Sequence, residues 1–477
     1  MRRCPLLTRS STDRTSQPSL RPAEVIVAVG AFLFLCLAVL TKSASMLEPD
    51  DFAYRASIVA LSQGHLVLTN AQYLSLSHQL GSILQWDHLA NGHWFSEKNP
   101  GYPFFAVPFY MAHMLRVAPL FYGALASVAL FLGARRWLGA WGGTWAAGLF
   151  CTSGAAMSFA WRSTMPTFTD ASFVAIGAGL LLWTLLATDA SSRRRTVVGA
   201  LALVALFAAM FIRYTDVVAL AVAVLAIVAT ARWTGLRRLT YAWWGGLTIL
   251  LLAGDMWFNT YFYGGAFSTG YSAGEITFSL SSFWPNLTGM PSSLLQAMPM
   301  TLLALVTLVW LTSRAWRARR ELRHGSDLQR VRVDVMVATF VGLAWAGIWG
   351  LYACYSWTVN QQGNSIHVIR FYLPALGLIA LLGAWCLQQL PRWAALVLLA
   401  GVGLDGLYVF HSITANSGLG GPGGSGGPGG RIGPGGAGNY GPPPGGTGNY
   451  GPPPGGSGNY GPPNGIGGPG GSTSALR

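Results

Sequence analysis

The sequence predicts an all-α fold: a polytopic membrane bundle of about eleven spans, N-terminus inside and C-terminus outside, with short helices in its first outer loop. Three observations carry this. Charged residues make up only 10% of the 477 and hydrophobic ones 52%, where a soluble protein carries about 25% charged. Apolar runs of membrane-spanning length recur along most of the chain. The 30 Lys and Arg residues fall in short clusters between those runs, as topology determinants do.

In chain order, residues 1–23 form a basic leader with Arg2, Arg3, Arg9, Arg14 and Arg21. The apolar stretch from Val25 to Leu40 is long for a signal-peptide core, so it reads as an uncleaved first span. The spans run 24–41, 117–133, 142–160, 170–188, 196–212, 215–231, 241–259, 295–312, 335–353, 372–389 and 393–411. With the N-terminus inside, 21 of the 30 basic residues lie on the inner side, including Arg135, Arg136, Arg193 to Arg195 and the run from Arg314 to Arg332. The inside-positive rule then fixes the orientation. The outer face receives loops 42–116, 260–294 and 354–371. The membrane domain is 24–411. From 412 to 477 the chain turns to Gly, Pro and a ten-residue Tyr-bearing repeat (GNYGPPPGGT, GNYGPPPGGS, GNYGPPNGIG). That composition buries too little apolar surface to offset chain entropy, so an extracytoplasmic disordered tail is expected. Its Tyr440, Tyr450 and Tyr460 suit contact with cell wall or a surface polymer.

The formal charge of +14 does not imply nucleic acid, because the basic residues are dispersed between spans. Cys4, Cys36, Cys151, Cys354 and Cys386 are too widely spaced for a metal cluster or a disulfide framework and read as buried thiols.

The chemistry-bearing residues gather in the outer segments. Asp50 and Asp51 follow the first span in LEPDDFAYR. One could accept a proton from an acceptor hydroxyl as general base, and the other could orient the acceptor or hold a cation. Tyr54 follows them. Lys98 precedes an aromatic stretch, GYPFFAVPFY, at a height that suits a lipid phosphate. Arg162 and Asp170 flank PTFT, Arg213 and Asp216 lie in FIRYTD, and Arg370 and Tyr372 lie in IRFYLP. Ionisable groups at membrane depth face bundle interiors or aqueous cavities, and Arg grips phosphate oxygens through its planar fork. Structural Arg–Asp pairing is the competing reading. The second outer loop, with Tyr271 and Glu275, is rich in Gly and aromatics and reads as a cover over a cavity.

PDDFAY, GHWFSEKNPGYPFFAVPFY, PTFTD, FIRYTD, YFYGGAFSTGY and IRFYLPALGLIALL, in this order, resemble the GT-C class of integral-membrane glycosyltransferases. The resemblance is to bacterial members of the protein O-mannosyltransferase and aminoarabinose-transferase type, and covers about residues 24–411. It implies a polyprenyl-phosphate sugar donor, an extracytoplasmic hydroxyl acceptor on lipid, glycan or protein, and inverting transfer at the outer side of the plasma or inner membrane. It makes Asp50 or Asp51 the base, and Lys98, Arg162, Arg213 and Arg370 the donor-phosphate ligands. Tyr54, Asp170, Asp216, Tyr271, Glu275 and Tyr372 would line the substrate cavity. No cofactor is required, although the acidic pair could hold a divalent cation. The Gly/Pro tail lies outside the family pattern. A multispan transporter or lipid flippase is the alternative; the polar residues cluster on the outer side instead of at mid-span, and no inverted repeat is visible.

Overall fold

The computed structural model describes residues 20–43, 49–80, 83, 85–88, 92–271, 277–289, 291–321, 326–359 and 366–418. Arg2, Arg3, Arg9, Arg14, Glu275 and the repeat segment from 419 lie outside the described residues.

The chain is a polytopic helical bundle. Helix α1 (Pro22–Leu40) leads into α2 (Pro49–Ser62). Strand β1 (Val67–Thr69), α3 (Asn70–Leu80), β2 (Trp86–His88), β3 (His93–Ser96) and α4 (Gly101–Met111) complete the first loop. The bundle continues with α5 (Ala118–Leu138), α6 (Ala140–Thr152), α7 (Gly154–Trp161), α8 (Thr167–Leu186), α9 (Ser192–Ile212), α10 (Val217–Thr230) and α11 (Arg238–Tyr263). After the second loop come α12 (Phe283–Gly289), α13 (Pro291–Ala297), α14 (Met300–Glu321), α15 (Ser326–Ala353), α16 (Ser356–Val359), α17 (Ile366–Tyr372), α18 (Leu376–Gln388) and α19 (Arg392–Gly418).

Every apolar run read as a span coincides with helix. Among the described residues, seven helical segments are long and apolar enough to cross a membrane: α1, α5 with its lead-in turn, α8, α9, α15, the run from Val368 through α18, and α19. Three runs depart from the simple reading; one, 295–312, starts in the last turn of α13 and breaks at Met298 and Pro299 before α14. Residues 142–160 break at Ser153, whose hydroxyl accepts from the Ala156 N–H at 3.1 Å and caps α7, so the run becomes α6 plus α7. The run at 372–389 begins earlier, in α17, and passes through a tight turn at Leu373–Ala375 that Pro374 favours.

Small residues let the central helices approach closely. A Cβ on Gly133 of α5 would collide with the Gly179 carbonyl of α8, and one on Gly179 would collide with the Ala129 backbone. Helix α8 is thereby the buried axis against which α5 and α9 pack.

The first loop holds a small core of its own. Alongside its helices it carries a three-stranded antiparallel sheet, order β1–β3–β2, with Val67 opposite Phe95 and Trp86 opposite Ser96. Ala56, Val59, Leu68, Leu76 and Trp86 are buried beneath it. The sequence reading gave this loop helices only. Its strands are three or four residues long, too short for alternation to show.

Candidate active site

Asp50 and Asp51 occupy the first turn of α2, where the helix dipole favours negative charge. Neighbouring helical residues point about 100° apart, so the two carboxylates meet different partners. Asp51 turns into the bundle. It pairs with Arg162, and its other oxygen accepts from Thr164 Oγ1 at 2.8 Å. Both members of the Asp51–Arg162 pair are fully buried. Asp50 turns towards the opening, its side chain 18% exposed. Lys98 Nζ lies 3.0 Å from one Asp50 oxygen and Arg370 Nη1 2.8 Å from the other.

Long-range backbone contacts hold these groups in place. Lys98 ends the segment after β3, and the next residues dock on the end of α9. Asn99 Nδ2 donates to the Ile212 carbonyl at 3.2 Å, an acceptor the helix end leaves over. Gly101 lies against the Phe211 backbone, where a Cβ would not fit. Tyr102 donates to the Ser163 carbonyl and ties α4 to the Arg162 corner. From the second loop, Tyr271 accepts from Lys98 Nζ at 3.0 Å, with its ring 4.7 Å from that nitrogen. Gly270 brings it there by resting on the Ser96 and Glu97 carbonyls. Burial, and then Asp50 and Glu97, push the Tyr271 phenol above its ordinary range, so it stays neutral.

Arg213 forms a second tier. Its Nη2 donates to Thr167 Oγ1 at 3.0 Å, its Nη1 to the Arg370 carbonyl at 3.1 Å, and its Nε lies 3.5 Å from Asp170. Asp170 and Asp216 are both fully buried. The guanidinium groups of Arg370 and Arg213 lie 4.8 and 5.7 Å from the Phe371 ring, one more tie between the tiers.

The structure thus brings Asp50, Asp51, Lys98, Arg162, Arg213, Arg370, Tyr271, Asp170 and Asp216 into one connected set. Tyr54 is buried beside them, edge-on to Tyr102 at 5.8 Å. Tyr372 stands apart: its carbonyl accepts from Trp349 Nε1 at 3.0 Å, and its ring packs edge-on to that indole. Thr164, Thr167 and Asn99 were missed by sequence reasoning. Their side chains are ordinary, and only their neighbours in RSTMPTFTD and EKNPG could have flagged them. Among the described residues, no group of three or more His, Cys, Asp or Glu is placed so that it could hold a metal ion.

A small, partly open cleft adjoins Lys98, lined by Ser57, His65, Trp86, Phe95, Phe262 and Tyr263 among others.

No protein-family model and no curated protein matches the sequence. Solved structures give partial likenesses. The apo structure of ArnT from Cupriavidus metallidurans is 16% identical, with a TM-score of 0.47, 83% of this chain covered and 63% of that one. ArnT of the same organism bound to undecaprenyl phosphate is 17% identical, with a TM-score of 0.44 and coverages of 83% and 64%. The apo oligosaccharyltransferase of Archaeoglobus fulgidus is 10% identical, with a TM-score of 0.49 and coverages of 83% and 56%. The chain spans less than two thirds of the length of each.

Proposed function

We propose that the protein is a membrane glycosyltransferase that moves a sugar from a polyprenyl-phosphate donor to an extracytoplasmic hydroxyl acceptor. The observation that carries this reading is Asp50: a partly exposed carboxylate between Lys98 and Arg370 at one end of a membrane bundle. The motif resemblance supports the same chemistry. The undecaprenyl phosphate bound in the Cupriavidus structure is the class of lipid this reading assigns to the donor.

Of the two sequence candidates, Asp50 is the base and Asp51 the anchor. Asp51 has no exposed surface and is engaged by Arg162 and Thr164. In the transfer, the acceptor oxygen attacks the anomeric carbon, its proton passes to Asp50, and the bond from that carbon to the phosphate oxygen breaks. Attack opposite the leaving group inverts the centre. Lys98 and Arg370 neutralise the departing polyprenyl phosphate. A phosphate that competes for these two cations would leave Asp50 freer to accept the proton, which couples donor binding to base strength. Phosphate leaves readily once neutralised, so the reaction requires neither a general acid nor a metal.

This reading places the site on the outer face of the plasma or inner membrane, with eleven spans and the Gly/Pro segment on the same side, where it could contact the cell wall. The test is reconstitution in vesicles with a panel of polyprenyl-phosphate sugars and a crude cell-envelope acceptor mixture. Donor-dependent labelling that Asp50→Asn abolishes is expected. Wild-type turnover in that variant would remove the base assignment. Consumption of no donor by folded protein would turn the reading to lipid or solute transport.

A further inference from the structure

The second outer segment has a feature that the transfer step does not use. Residues 276–313 contain no Asp, Glu, Lys, Arg or His, although one membrane span needs only about 20 residues. The predicted span in this stretch, 295–312, accounts for its second half. Ahead of that span lie the turn Leu280–Ser282 and helix α12. Their residues divide between two faces. Leu280, Trp284 and Leu287, spaced i, i+4 and i+7, are 83%, 67% and 45% exposed, whereas Ser282 and Asn286 are buried. The usual order of a surface helix is thus inverted, with apolar side chains outward and polar ones inward.

The inward face is fastened to the third outer segment. The Asn286 Nδ2 donates to the Ala353 carbonyl at 2.8 Å and to the Tyr355 carbonyl at 3.0 Å. Just before α12, the Ser279 N–H donates to the Cys354 carbonyl at 2.7 Å, and the Ser356 N–H donates to the Thr277 carbonyl at 3.0 Å. Tyr355 packs edge-on against Phe371 at 5.3 Å, and Arg370, which holds Asp50, lies over the same Phe371 ring. The outward face is bordered in sequence by exposed apolar faces of two predicted spans. Trp257 and Tyr261 of α11 come before it, and Leu302, Val306 and Val309 of α14 come after it. The first loop, also outside the spans, carries Arg55, His78, Asp87 and Glu97, as a segment facing water does. The stretch around α12 carries none, and its exposed apolar face suits lipid.

We propose that α12 and the turn before it lie in the lipid headgroup layer at the first-loop end of the bundle, with Leu280, Trp284 and Leu287 sunk toward the acyl chains, and that this contact braces the Tyr355 segment beside Arg370. The partner is a lipid surface: leucines with a tryptophan along one uncharged face are what an interfacial element presents to a bilayer. Asn286 on the opposite face carries the position of the anchor to the backbone of Ala353 and Tyr355. The inference needs only the membrane bundle and stands whether or not a sugar is transferred.

Two measurements on the full chain test this, in nanodiscs of phosphatidylethanolamine and phosphatidylglycerol. In the first, a small share of the lipid carries a diazirine in its acyl chain, and adducts are mapped by mass spectrometry after illumination. Adducts on Leu280, Trp284 and Leu287 are expected at a yield within about threefold of that on Leu302, Val306 and Val309 of α14. Adducts on α14 with none on α12 overturn the proposal and mean that water or a protein partner, a second copy included, covers that face. In the second, hydrogen exchange at the Ser279 and Ser356 amides is compared between wild type and a variant combining Trp284→Asn with Leu287→Asn. Exchange at both amides should quicken by about tenfold, with exchange in α8 and α9 unchanged. Unchanged exchange at the two serines removes the bracing role. Equal acceleration throughout the bundle removes it too, because it reports a general loss of stability. If the double variant does not fold, Leu280→Asn, at the most exposed of the three positions, gives the same comparison. Neither readout depends on sugar transfer, so failure of the enzymatic reading leaves both tests standing.

Discussion

Both ends of the bundle bury charge, but they use it differently. At the end opposite the first loop, the cations close helix ends and meet partners near those ends. Arg195 donates to the Thr184 and Thr234 carbonyls at 2.9 and 2.8 Å, taking acceptors that the ends of helices leave over. Arg136 pairs with Asp189 at 2.5 Å, and Arg136 and Arg194 both lie over the Trp183 ring. Glu24, fully buried, lies 3.8 Å from Arg135. At the loop end, three separate segments bring Lys98, Arg370 and Asp50 to one opening, and Arg213 braces them from behind. Buried charge alone therefore does not mark a functional site. Convergence from distant segments on a partly exposed group is what sets the loop end apart.

The sharpest test of this contrast lies between the two adjacent aspartates. Asp50→Asn should lower turnover by about 10²- to 10⁴-fold, the range of a general base, with the melting temperature unchanged. Asp51→Asn should instead strip Arg162 of its fully buried partner and cost about 3–5 kcal/mol of stability. Turnover in vesicles and thermal melting of the same preparations measure both. Parallel losses of stability in the two variants would erase the distinction between base and anchor.

Lys98→Gln follows in size. It keeps length and polarity but removes the charge from Asp50 and from the departing phosphate. A fall in kcat/KM of about 10- to 100-fold is expected, with kcat and donor KM both affected. An effect confined to melting would move Lys98 into the structural class.

Glu24→Gln tests the opposite end. The pair is buried but its geometry is loose, so a cost of about 2 kcal/mol is expected, below the range for tightly bonded pairs. Turnover per folded molecule should be unchanged. A loss of turnover without a loss of stability would show that the two ends are coupled.

The fold was largely legible because span-length apolar runs and arginine clusters are local signals. The residue types of the site were legible for the same reason: an acidic pair, one isolated lysine and arginines at span ends are unusual in a membrane chain. The pairing was not. Asp51 reaches Arg162 across 111 positions and Lys98 reaches Tyr271 across 173, and no local pattern encodes such distances. Nor did the sequence separate the two aspartates. That choice depends on which face of α2 meets Arg162. Nor does the sequence show that the Arg213 guanidinium donates to Thr167 and to the Arg370 carbonyl, partners 46 and 157 positions away.

The smallest expected effect belongs to Tyr271→Phe. It removes the hydroxyl that accepts from Lys98 and keeps the ring beneath the ammonium. Loss of one such hydrogen bond costs about 1 kcal/mol, so kcat/KM should fall by about fivefold. The same variant has a signature in pH. Burial raises the phenols of Tyr271, Tyr54 and Tyr102 above their ordinary value of 10.0. Between that value and the higher folded one, the native state keeps protons that the unfolded chain releases. Their contribution to stability is therefore complete below the ordinary value and is lost as pH climbs above it. Tyr271→Phe should make that alkaline loss shallower and leave the activity profile near neutrality unmoved, since a neutral phenol does not titrate there. Denaturant melts at rising pH measure the first, and turnover across neutral pH the second. A shift of the neutral activity profile would mean that Tyr271 takes part in proton transfer and belongs with Asp50, not with the scaffold that holds Lys98.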